Sequence, residues 1–155
     1  MIKIMFVCHG NICRSPMAEF IFKKLAADEG AIDKFYVKSS ATSTEEIWNG
    51  VGNPIYPPAQ KTLREHGIPF DANKRAVQIN ASDYYNYDYI VVMDGNNIRN
   101  LARIIGRDKC GKVYKLMDFT PNGGDVSDPW FSRDFEAAYR DIETGCKCLL
   151  NRLLG

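Results

Sequence analysis

A chain of 155 residues, 45% hydrophobic and 25% charged, has the size and composition of one soluble globular domain and is long enough to bury a substantial core. Twenty Lys and Arg against nineteen Asp and Glu give a formal charge of +1, without the basic excess that nucleic-acid or membrane-surface binding requires. Five cysteines cannot all pair within one chain, and the chain is too large to need a disulfide framework, so reduced thiols in a cytoplasmic compartment are expected.

Residues 3–7 read as a first strand, with a turn at Cys8-His9-Gly10-Asn11. Their apolar run is too short for a signal peptide, and no stretch approaches the length of a membrane span. Ser15-Pro16 opens a helix, since Ser caps well and Pro suits the first turn; Met17, Phe20, Ile21 and Leu25 follow at helical spacing, and Gly30 stops it. A second strand is expected over 35–39, a long surface loop over 39–58, and a helix over 58–67 with Leu63 inward. The continuous apolar run 89–93 fits a parallel strand covered on both faces, and Asp94 is placed to cap a helix over 96–105. A last strand over 112–116 precedes one long helix over 131–154. Strands alternating with helices predict an α/β fold: a single three-layer domain over residues 1–155, with a central four-stranded parallel sheet flanked by helices. Ligands bind at the carboxyl ends of such strands, which points to the turn at Cys8.

That turn contains Cys8-x5-Arg14. The spacing alone is weak, because Cys146 and Arg152 repeat it inside a helical pattern. Context separates the two: Cys8 ends a strand, Gly10 and Asn11 accept unusual backbone angles, and a helix starts at once. A strand-to-helix turn of this kind converges backbone N–H groups and the positive helix end on one point, a cradle for a phosphate dianion. Arg14 can grip two phosphate oxygens with its planar fork. The same field stabilises a thiolate at Cys8, the form that attacks phosphorus. A leaving oxygen needs a proton, and Asp128 in Asp128-Pro129-Trp130-Phe131 is the best acid: Pro129 keeps it out of helical geometry and its apolar neighbours favour the protonated form.

The string from Phe6 to Pro16, with Asp128-Pro129-Trp130 downstream, resembles the low-molecular-weight protein tyrosine phosphatases, and the likeness covers essentially the whole chain. Ser39-Ser40-Ala41-Thr42, Gly67-Ile68-Pro69 and the stretch from Tyr87 to Asp94 also match that family's texture. The resemblance implies a phosphatase acting on phosphotyrosine proteins or peptides, with no metal or organic cofactor and as a monomer. Cys8 would be the nucleophile, Arg14 and the loop residues His9, Gly10, Asn11, Ile12 and Cys13 would bind the phosphate, and Asp128 would be general acid and then base. Ser15 would donate a hydrogen bond to the Cys8 sulfur, Asn11 and Ser39 would hold the loop in shape, and Trp48, Trp130 and Phe131 would wall the slot for a tyrosine ring.

Three departures stand out. Trp130 and Phe131 occupy the places of a tyrosine pair, Asn73 corresponds to a loop-supporting histidine, and the loop around Trp48 is longer. Cys110, Cys146 and Cys148 read as packing residues, and Cys13 either as packing or as a thiol that traps oxidised Cys8. His9 belongs at the slot rim, and Asp94 either caps its helix only or also orients Arg14. A thiol-linked arsenate reductase would need relay cysteines, and none lies between Cys13 and Cys110. Protein-arginine phosphatases tend to carry threonine where this chain has Ile12. A pure phosphopeptide-binding module would need neither the nucleophile nor the acid.

Overall fold

The computed structural model describes all residues, Met1–Gly155. In chain order its elements are β1 (Ile2–Cys8), α1 (Arg14–Asp28), β2 (Phe35–Ala41), the short strands β3 (Ile47–Trp48) and β4 (Val51–Gly52), α2 (Pro57–Glu65), a single turn α3 (Asp83–Asn86), β5 (Tyr89–Val92), α4 (Gly95–Ile105), β6 (Val113–Lys115), a second single turn α5 (Pro129–Ser132), and α6 (Phe135–Leu154). The main sheet has the order β2-β1-β5-β6, and every neighbouring pair is parallel.

Strand alternation sorts β1 between two layers. Ile4, Phe6 and Cys8 face α1, α2 and α6, where Met17, Ile21, Leu63, Ile142 and Leu149 complete the larger core. Met5 and Val7 face the other way, onto Tyr84 of α3 and Leu101 of α4. Each such side chain, taken fully from water, contributes about 1.5–3 kcal/mol before entropy is charged against it. The result is the expected three-layer α/β domain with a four-stranded parallel sheet. No helix is long and apolar enough to cross a membrane.

The order of strands positions the site. From β1 the chain winds outward to β2 on one side and later returns to β5 on the other. The carboxyl ends of β1 and β5 therefore flank the crevice where such sheets bind ligands. Cys8 ends β1, and Asp94 follows β5.

Three expectations need correction. Ser15 is not the α1 cap: the helix begins at Arg14, no side chain caps it, and the Ser15 hydroxyl turns to the Cys8 sulfur. Residues 39–58 are not all loop, because β2 continues to Ala41 and β3 pairs antiparallel with β4. Asn49 and Gly50 both have positive φ, 51° and 78°, which is the Asn-Gly signature of a two-residue hairpin turn. The span 131–154 is not one helix. Arg133 takes a left-handed φ of 59° and breaks it, and Asp134 then caps α6 by accepting from Ala137 N at 2.9 Å. The Arg133 guanidinium stacks over the Trp130 ring and donates to Tyr56 Oη at 3.2 Å, contacts that hold the strained residue in place.

Candidate active site

The loop from Cys8 to Ser15 is a closed turn around one sulfur. The N–H groups of Asn11 and Ser15 point at Cys8 Sγ from 3.3 and 3.4 Å, and Ser15 Oγ lies 3.1 Å from it. The loop needs one residue with φ near +60°, and it is Asn11, not Gly10. The Asn11 amide compensates for that strain with a full set of hydrogen bonds. Its Nδ2 donates to Ser15 Oγ at 2.7 Å and Ser39 Oγ at 3.0 Å. Its Oδ1 accepts from Lys74 Nζ at 2.8 Å and Val77 N at 3.1 Å. Ser39 in turn donates to Glu19 Oε1 at 2.7 Å, and Lys23 Nζ holds the other Glu19 oxygen at the same distance. A buried carboxylate on α1 is tolerated because both its oxygens are satisfied.

Asn73 does not support the loop. A turn in which Asn73 N donates to Asp71 Oδ1 leaves Asn73 exposed and sends the next side chain inward. Lys74 is the supporting residue, and it also donates to the Ser39 and Arg75 carbonyls. Burial draws its ammonium below the ordinary lysine range.

Arg14 is 3% exposed. Its Nη1 donates to Asp94 Oδ2 at 2.8 Å and to the Val126 carbonyl at 3.0 Å, and its Nη2 lies 3.4 Å from Asp128 Oδ2. Burial works against the charge, but Cys8, Asp128 and Asp94 together hold the guanidinium above its usual value. Asp94 serves both roles weighed for it: Oδ1 caps α4 by accepting from Asn97 N at 2.8 Å, and Oδ2 holds Arg14. Asp128 caps α5 through Oδ1, which accepts from Trp130 N at 3.0 Å.

These groups open into a cavity of about 430 Å³ at the carboxyl edge of the sheet. Of the expected site residues, Cys8, His9, Gly10, Ile12, Cys13, Arg14, Asp128, Trp130 and Phe131 line it. Asn11 and Ser15 lie buried behind the loop. Trp48 does not line it and is 79% exposed on the β3–β4 hairpin. Glu45 and Glu46 take that wall instead, with Asn96 and Asn100 of α4 on another, none of them anticipated. The Cys13 thiol is pushed well up, by burial first and by Cys8 next. All five cysteines are free, and no three His, Cys, Asp or Glu side chains converge as a metal site.

The sequence profile described as low molecular weight phosphotyrosine protein phosphatase matches residues 3–154. The chain is 40% identical over 152 residues to a low molecular weight protein-tyrosine-phosphatase of Bacillus subtilis, YfkJ, with 97% of this chain and 94% of the relative covered. The crystal structure of YfkJ superposes with a TM-score of 0.92 at 38% identity, covering 99% of this chain and 95% of that one. A Drosophila arginine phosphatase superposes at 0.84 with 30% identity, covering 99% of each chain. Matched from end to end in sequence and superposed over the same span, the chain belongs to the low molecular weight phosphotyrosine protein phosphatase family.

Proposed function

We propose that the protein hydrolyses phosphotyrosine in proteins or peptides through a phosphocysteine intermediate. The observation that carries the reading is the convergence of the Cys8 sulfur, two loop N–H groups, the Arg14 fork and the Asp128 carboxyl group on one end of one cavity. Cys8 Sγ attacks phosphorus, the P–O bond to the phenol breaks, and the Asp128 carboxyl group gives its proton to the departing oxygen. In the second step the Asp128 carboxylate takes a proton from water as that oxygen attacks phosphorus. The S–P bond breaks and phosphate leaves. Ser15 Oγ, which accepts from the Cys8 thiol at 3.1 Å, turns its own hydrogen to the sulfur once that departs as a thiolate. Loop amides and Arg14 hold the equatorial oxygens, over which charge is spread in both transition states. Among the walls of this deep slot, Ile12 and Trp130 suit a tyrosyl ring better than a short seryl stem. We place the enzyme in the cytoplasm on the strength of its free thiols, and read it as a monomer from the family resemblance alone.

Arginine phosphatase activity is the second reading, favoured by the Drosophila neighbour. Ile12 weighs against it, since an apolar side chain offers a guanidinium no acceptor. Initial rates on matched phosphotyrosine, phosphoserine and phosphoarginine peptides test both. The expected kcat/KM favours phosphotyrosine by roughly tenfold to a hundredfold, the value of burying one ring. A preference for phosphoarginine overturns the first reading.

Lys74 gives a further expected result. Lys74→Met removes a charge-assisted donor to Asn11 Oδ1 and leaves that oxygen with Val77 N–H alone. Such a bond is worth about 1.5–3 kcal/mol, and kcat/KM is expected to fall about tenfold. Lys74→Arg, which keeps a cationic donor, should retain more activity, and equal loss in both variants would show that packing alone is at stake.

A further inference from the structure

The mouth of the cavity carries charge of the same sign as the phosphate that its cradle attracts. Four carboxylates line it: Asp94, Asp128, Glu45 and Glu46. The first two face Arg14 at 2.8 and 3.4 Å. The other two stand farther out, on the turn that leads into β3, and no lysine lines the cavity. Arg14 is the only arginine there, and it is buried.

The outer pair is held in place. Glu45 Oε2 lies 2.8 Å from His9 Nε2, yet its side chain remains 69% exposed and free to meet a second cation. Glu46 Oε1 accepts from Asn53 Nδ2 at 3.2 Å. The stem of Glu46 lies across Gly10, where an added Cβ would sit 3.2 Å from Cγ. The turn itself is fastened to the phosphate loop: Thr42 N donates to the Cys8 carbonyl, and Ser43 N and Oγ both donate to the His9 carbonyl. The distance from the sulfur to these carboxylates is therefore set by backbone hydrogen bonds, not by a loose loop. Trp48 follows on the same hairpin with its indole exposed, a surface suited to the stem or guanidinium of a basic residue.

We propose that Glu45 and Glu46 make the enzyme select phosphotyrosines with Lys or Arg nearby in the substrate chain over those flanked by Asp or Glu. The proposal rests on the reading of this cavity as a phosphotyrosine slot. With the phosphate seated at Cys8, the residues flanking the tyrosine must pass the rim, where a cation is paired and an anion is repelled. Rim charges act chiefly through encounter and specificity, and they weaken as salt is added.

The test is kcat/KM on three phosphotyrosine peptides of one core sequence, flanked by Arg, Ala or Glu at two positions. An exposed ion pair changes affinity by up to about fivefold, so two pairs, with repulsion of the acidic peptide added, predict an Arg-to-Glu ratio of about tenfold or more at low ionic strength. The ratio should shrink in salt, approach one in E45Q/E46Q, and invert in E45K/E46K. Because the ratio is taken within each variant, any change in the common chemical step cancels. A ratio near one in the native enzyme, or one that survives E45Q/E46Q, overturns the proposal alone. Failure to hydrolyse any of the three peptides overturns the phosphotyrosine reading and the proposal with it.

Discussion

Cys8→Ser is expected to lower kcat on p-nitrophenyl phosphate by about four orders of magnitude or more, which is the usual cost of deleting a covalent nucleophile. A serine hydroxyl stays protonated beside the N–H groups of Asn11 and Ser15, which aim at a sulfur at 3.3 and 3.4 Å, and no base stands next to it to take its proton. The cradle itself should survive, because Asp94 and the Val126 carbonyl hold Arg14 and the Asn11 amide holds the loop, all without the sulfur. The variant should therefore still bind phosphate or a phosphotyrosine peptide and hold it unhydrolysed. Measured turnover near that of the native enzyme would remove the phosphocysteine from the mechanism. Loss of phosphate binding together with turnover would instead mean that the loop had collapsed.

Asp128→Ala carries the second largest effect. Removing a general acid costs roughly a hundredfold to ten-thousandfold, and the cost grows with the basicity of the leaving group. Phenyl phosphate should thus suffer far more than p-nitrophenyl phosphate, whose phenolate leaves without a proton. The carboxylate also caps α5 through Trp130 N, so alanine removes structural support worth about 1 kcal/mol as well. Asp128→Asn separates the two roles. It keeps an acceptor for the cap and lacks the proton, so its kinetic loss should match that of alanine while its melting temperature stays closer to native. A similar loss on both esters would argue that Asp128 acts through Arg14, 3.4 Å away, and not on the leaving oxygen.

Much of this site is local in sequence, which explains why it could be read there. The cradle spans Cys8 to Ser15, and its chemistry follows from a strand, a turn and a helix start in succession. Asp94 is legible in the same way, as the first polar residue after an apolar strand. The residues that were missed act across long stretches of chain. Lys74 reaches Asn11 from 63 residues away, through a turn at Asp71 whose direction no periodicity reports. Glu45 and Glu46 line the wall from the turn before β3, whereas Trp48 lies out on the hairpin that the Asn49-Gly50 turn folds back. The Asn49-Gly50 pair is itself a hairpin signal inside a stretch otherwise composed like a loop. The break at Arg133 left no such trace, since a non-glycine residue with positive φ depends on Tyr56 and Trp130 for its contacts.

The inner position of β1, with β2 on one side and β5 on the other, has a consequence for how the molecule comes apart. To expose the amides of β1, both ladders must open, and that is close to opening the whole sheet. The sulfur and its cradle are thus carried by the last part of the molecule to exchange with solvent. The acid is carried by a single turn at the surface, with Phe131 83% exposed beside it. Warming should loosen proton delivery well before it loosens phosphate capture, so the fold divides the reaction between a part that stays fixed and a part that can give.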